Sequence, residues 1–101
     1  MSISETELSD VTAQNVSVTA DSLAVDLADG RTITVPIAWF PRLENGTPAE
    51  CANWCFIGSR EGVHWPDLDE DISVASLLAG RRSGESQTSL RHWLQKRKSS
   101  V

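Results

Sequence analysis

Hydrophobic and polar residues alternate along much of the first half of the chain. Val16, Val18 and Ala20 fall on one side of an extended segment, and Asn15, Ser17 and Thr19 on the other. A period of two is the pattern of a half-buried strand. "LAVDL" repeats it with Leu23, Val25 and Leu27, and "ADG" then supplies a turn in which Gly30 can take a positive φ. "RTITVPI" alternates again with Ile33, Val35 and Ile37 inward, so residues 15–37 predict two or three antiparallel strands. Pro36 cannot donate to a ladder and marks a strand end or an edge.

The pattern then changes. "AWFPRL" is a short apolar piece of about one helical turn, broken by "ENG". In "TPAE", Thr47 can cap, Pro48 suits the first helical position and Glu50 completes a capping box, which predicts a helix from Pro48 to about Cys55. "CFIGSREGVHW" predicts a second hairpin with its turn over Gly58 to Gly62. "ISVASLLAG" predicts a short helix with Ser73 as cap and Gly80 as stop. A last helix from near Ser86 to about Lys98 carries Leu90, Trp93 and Leu94 as its apolar stripe. The expected fold class is α+β: a small antiparallel sheet in two hairpin regions, packed with short helices and a C-terminal amphipathic helix. The expected organisation is a mobile start over residues 1–13, one domain over 14–80, a linker over 81–86 and a basic helix over 87–98 docked on the domain.

Composition agrees with a single folded domain. The chain has 101 residues, 40% apolar and 23% charged, which favours one core over disorder. Four tryptophans (Trp39, Trp54, Trp65, Trp93) can anchor that core or a partner surface. Charge is divided along the chain: residues 1–80 carry −10 and residues 81–101 carry +5. An acidic body repels phosphate backbones, whereas a basic tail can touch nucleic acid, an acidic partner or the body itself. "MSISETELSD" has neither the cationic start nor the apolar run of a secretory signal, and no apolar stretch is long enough to cross a membrane, so a cytoplasmic location is expected.

Candidate chemistry concentrates in "HWPDLDEDIS". Asp67, Asp69 and Asp71 open like a calcium loop, but that template needs Gly at its sixth position and Glu at its twelfth. Ile72 and Leu78 stand there, so no metal is expected. The acids read instead as a turn and a charged helix entry, favoured by the helix dipole. Leu68 and Ile72 face inward, and Asp67, Asp69, Glu70 and Asp71 with Trp65 form a surface for a basic protein partner.

Cys51 and Cys55, four apart, would share one face of the predicted helix. With His64 and His92 they match zinc in ligand number but not in spacing, so they are taken as buried thiols outside any disulfide framework. His64, flanked by Val63 and Trp65, reads as a structural histidine. "GSREG" lacks the Lys-Ser/Thr of a phosphate loop and reads as a turn. No catalytic residue and no cofactor is expected. The tail "SLRHWLQKRKSSV" has two readings: a docked helix, or a nucleic-acid contact through Arg91, Lys96, Arg97 and Lys98.

The strings "DLADGRTITVPIAWFPRL", "TPAECANWCFIGSREGVHWPDLDEDISVASLLAG" and "SLRHWLQKR" resemble a bacterial family known as domain of unknown function 2442. The resemblance covers residues 14–95 and is most specific at Trp65-Pro66-Asp67 followed by "LDEDIS". It implies a small α+β domain with antiparallel strands and packed helices. Some members resemble this unit joined to a helix-turn-helix domain, for which the sequence after Gly80 is too short. Many are encoded beside another small protein in an arrangement like a toxin–antitoxin pair. Relatives tend to carry charges where this chain has Cys51 and Cys55, and no catalytic residues carry over. The expected function is a non-enzymatic protein-binding or regulatory module, antitoxin-like by resemblance. The alternatives are accessory nucleic-acid binding by the tail, or an acidic body that mimics nucleic acid and blocks its binders.

Overall fold

A computed structural model describes residues 11–99. The expected mobile start falls outside the described residues as far as Asp10. Its last part is ordered, for Ala13 opens the first strand with no exposed surface.

β1 (Ala13–Val18), β2 (Ser22–Leu27) and β3 (Thr32–Pro36) form an antiparallel meander in that order. Leu23, Val25 and Leu27 point into the core as the alternation predicts. A bulge between Ala13 and Asn15 shifts the phase of β1, so that Ala13 and Val16 both face inward. Pro36 ends β3, which is also a sheet edge. Gly30, at φ 97°, makes the turn between β2 and β3.

After β3 the chain forms a short 3₁₀ turn over Ile37–Trp39, then α1 (Pro41–Glu44) and α2 (Pro48–Ala52). The capping box is present: the Thr47 hydroxyl accepts from Glu50 N at 3.1 Å, and Thr47 N donates to Glu50 Oε1 at 2.8 Å. Thr47→Ala is expected to cost about 1 kcal/mol, read as a lower urea midpoint. An unchanged midpoint would show that the box contributes nothing to the fold.

α2 ends earlier than the sequence predicts. Asn53 leaves the helical region at φ −93°, ψ 85°, and the chain enters β4 (Cys55–Ile57). Pairing with β5 (Gly62–Trp65) overrides the local helical signal, so Cys51 and Cys55 do not share a helix face. Cys51 is buried and Cys55 is exposed on the strand, which corrects the expectation of two buried thiols.

A third strand, β6 (Glu70–Ser73), pairs with β5 and completes a second meander. The sequence reading made these residues a turn and a helix entry, because a short strand in a run of acids shows little alternation. The acids therefore belong to a β-hairpin and not to a helix dipole. α3 (Val74–Leu78) follows at once, with the Ser73 hydroxyl accepting from Ser76 N at 3.0 Å. It stops at Gly80 (φ 73°), where Arg81 N reaches back to Ser76 O at 3.0 Å. α4 (Gln87–Ser99) is the basic helix.

Both sheets close on one core. Leu23, Val25, Leu27 and Val35 meet Val63, Trp65, Leu68 and Ile72, with Phe40, Leu43, Val74 and Leu77 from the connecting pieces. Ala13 N donates to Arg60 O at 2.8 Å, so the β4–β5 turn joins the first meander to the second, while Val74 N donates to Glu61 O at 2.9 Å and extends the β5–β6 pairing.

Candidate functional site

The β5–β6 hairpin is built from the inside out. Trp65 is fully buried, and its Nε1 donates to the Cys51 carbonyl at 3.0 Å. Leu68 is also fully buried, which pins the turn from beneath. Trp65 thus braces the hairpin and presents no surface to a partner, which corrects its place in the expected contact set. Pinning the turn forces the residues between these anchors outward. Asp69 sits at φ 50°, a left-handed conformation that Asp tolerates, and its side chain is 89% exposed.

The four acids separate into two kinds. Asp67, Asp69 and Asp71 are exposed. Asp67 accepts from Asn53 Nδ2 at 2.9 Å, and Asp71 Oδ1 meets His64 Nδ1 across the β5–β6 ladder. Glu70 lies on the Ile72 side of β6 and is half-buried. Burial pushes its carboxyl up to about 7; Arg42 opposes the shift, and Glu85, Asp71 and Asp69 add to it. The exposed patch is therefore three aspartates, with Glu70 turned toward the body.

Arg42 was not singled out by the sequence. It lies on α1 and ties three segments together. Its Nε and Nη2 grip Glu85 at 2.9 and 2.7 Å, and Nη1 donates to the Leu68 and Asp69 carbonyls at 3.1 and 3.3 Å. The Arg42 guanidinium also holds the Glu85 carboxyl below the usual range.

The second clamp is Arg97, which grips Glu50 with Nη1 and Nη2 at 3.0 and 2.7 Å. These bonds, with the Thr47 backbone, lower the Glu50 carboxyl to about 2. Trp93 packs on the core with Arg42 5.1 Å and Arg97 4.7 Å from its ring centre. The tail helix lies against the body through Trp93 and Arg97. Arg97 is committed to the body, and Arg91, Lys96 and Lys98 are exposed. Leu90 and Leu94 are half-buried, and Trp93 alone of the stripe reaches the core. Glu50 and Glu85 were also missed, since one was read only as a cap and the other only as linker.

An open groove of about 540 Å³ runs between this helix and the hairpin turn, bordered by Arg42, Asp69, Ser89, His92, Trp93 and Lys96. Among the described residues, no group of three or more His, Cys, Asp or Glu is placed to hold a metal ion. Burial raises the Cys51 thiol, which donates to the Leu43 carbonyl at 3.4 Å, so it is poorly suited to attack. No described helix is long and apolar enough to cross a membrane.

Comparison with known proteins gives a fold and a family. A protein of unknown function from Rhodospirillum rubrum is similar over 80% of this chain and 98% of its own, at 24% identity and a TM-score of 0.63. An uncharacterised protein from Chromobacterium violaceum is similar over 80% of this chain and 75% of its own, at 25% identity and a TM-score of 0.62. No curated protein matches. The family model for the protein of unknown function DUF2442 matches residues 13–83, from the first strand through α3 and into the linker. The resemblance read from the Trp-Pro-Asp stretch and the strings around it is thereby established: the chain belongs to the DUF2442 family.

Proposed function

We propose that this chain is a non-enzymatic protein-binding module that engages a basic surface through the β5–β6 hairpin. One observation carries the reading: Asp67, Asp69 and Asp71 are exposed on a single hairpin anchored by the buried Trp65 and Leu68. A preorganised display of like charge favours encounter with a complementary surface and loses little on ordering. An antitoxin-like, regulatory role is proposed on the family resemblance alone. The tail is the weaker candidate for a contact with nucleic acid, because Arg97 is already paired and fewer cations remain exposed.

The test is capture from the native host on immobilised chain after nuclease treatment. The chain is compared with a variant carrying Asp67→Asn, Asp69→Asn, Glu70→Gln and Asp71→Asn. Asn tolerates the left-handed turn at residue 69, so the hairpin is expected to persist. The expected result is a stoichiometric protein retained by the natural sequence and lost by the variant. Equal retention by both sinks the hairpin reading, and a partner that vanishes with nuclease moves the function to the tail.

A further inference from the structure

The seat of α4 has the features of a docking surface already in use. Its fixed parts are Arg42 and Glu50, with Asp69 at the rim of the groove. All three lie within the span of the family model, while α4 lies beyond it. Leu77 is the last of the buried core residues along the chain, and α4 adds to them only the partly buried Trp93, packed against the core from outside. α4 is held by side chains: Trp93 beside Arg42, Arg97 on Glu50, and Glu85 just ahead of the helix on Arg42. It reaches this seat through a linker containing Ser83, Gly84 and Ser86.

We propose that this surface recognises a basic amphipathic helix carrying an aromatic residue and, one turn later, an arginine, and that α4 is its internal occupant, displaced when a partner protein presents such a helix. The proposal rests on the protein-binding reading and names the partner's chemistry. The complementarity is visible in the molecule: the aromatic ring enters beside Arg42, and the arginine one turn on meets the carboxylate of Glu50. A tethered occupant competes at a high effective concentration, so the full chain binds an outside helix more weakly than a chain whose own helix has been disabled.

The probe is a fluorescein-labelled synthetic peptide of residues 85–98, "ESQTSLRHWLQKRK". Its anisotropy is titrated with the full chain, with Trp93→Ala/Arg97→Ala, and with that variant carrying Glu50→Arg as well. The first variant is expected to bind about tenfold more tightly than the natural sequence, and Glu50→Arg to abolish the gain. Equal binding by the natural sequence and the first variant, or no saturable binding by either, overturns the proposal. So does binding that survives Glu50→Arg, which would be attraction to the acidic body at large.

Sedimentation of the natural sequence that shows a dimer lost with Arg97→Ala would assign the seat to a second copy and overturn the partner reading. Should the double variant fail to fold, hydrogen exchange on the natural sequence replaces it. Excess peptide must then speed exchange across residues 90–98, and unchanged exchange refutes displacement. Asp67 and Asp71 lie outside the seat, so their neutralisation leaves peptide affinity unaltered. If the peptide binds while the hairpin variant still retains its host partner, the hairpin reading fails and the seat stands.

Discussion

Trp65→Ala is expected to cost roughly 3–5 kcal/mol, a large share of what holds a domain of this size together. The ring has no exposed surface and lies where the two meanders meet. Its removal leaves a cavity bounded by both sheets and by Leu68. It also removes the donor that satisfies the Cys51 carbonyl. Trp65→Phe is the milder change, because it keeps a six-membered aromatic ring in the core while losing the indole N–H and the rest of the bicycle. That variant is expected to cost roughly 2–4 kcal/mol, less than Trp65→Ala, from the unpaired acceptor together with a smaller cavity. Urea unfolding followed by far-ultraviolet circular dichroism checks both. If Trp65→Ala loses less than about 1 kcal/mol, the hairpin is not braced from beneath and the rigid display of its aspartates loses its foundation.

Glu70→Gln is expected to stabilise the protein at alkaline pH. The Glu70 carboxyl is ordinary when unfolded, at 4.5, and rises to about 7 when folded, chiefly through burial. The folded state therefore holds the proton more tightly. This contribution is complete below 4.5, declines as pH rises, and is gone once pH passes about 7. The loss amounts to roughly 3 kcal/mol at most, and less after local relaxation. The glutamine stays neutral throughout. At about pH 8 the variant should therefore melt about 10 °C above the natural sequence, and the gap should close toward pH 5. Glu50 acts in the opposite sense, since its stabilisation is lost only as pH falls from 4.5 through about 2, below this window. Parallel melting curves for the two proteins across the window would place Glu70 in water.

The first sheet was legible because Leu23, Val25 and Leu27 alternate against one buried face, and because Gly30 and Pro36 punctuate the strands. The caps at Thr47 and Ser73 were legible because capping is decided within a few residues. β6 was not, since the partner that makes it a strand is β5 and its four residues carry no period of their own. α2 ran too long in the reading for the same reason: nothing local says that Cys55 will pair with His64. The aspartates of the candidate surface could be named from sequence, but their separation from Glu70 depends on which side of β6 each occupies. Trp65 shows the limit most clearly. A tryptophan beside acids fits either a core or a contact, and the core of the second sheet claims it. The pairings of Arg42 with Glu85 and of Arg97 with Glu50 carry no motif, because ion pairs between distant segments leave no trace in spacing.

The hydrogen bond from Ala13 to the β4–β5 turn also bears on how the chain is made. Each meander pairs neighbouring strands, so the first can assemble while the rest is still being synthesised. Its inner face, with Leu23, Val25 and Leu27, then waits uncovered until Trp65 and Leu68 leave the ribosome. The backbone of Ala13 waits with it for Arg60. The nascent first sheet is thus the sticky stage of synthesis, and the short second sheet is the lid that ends it.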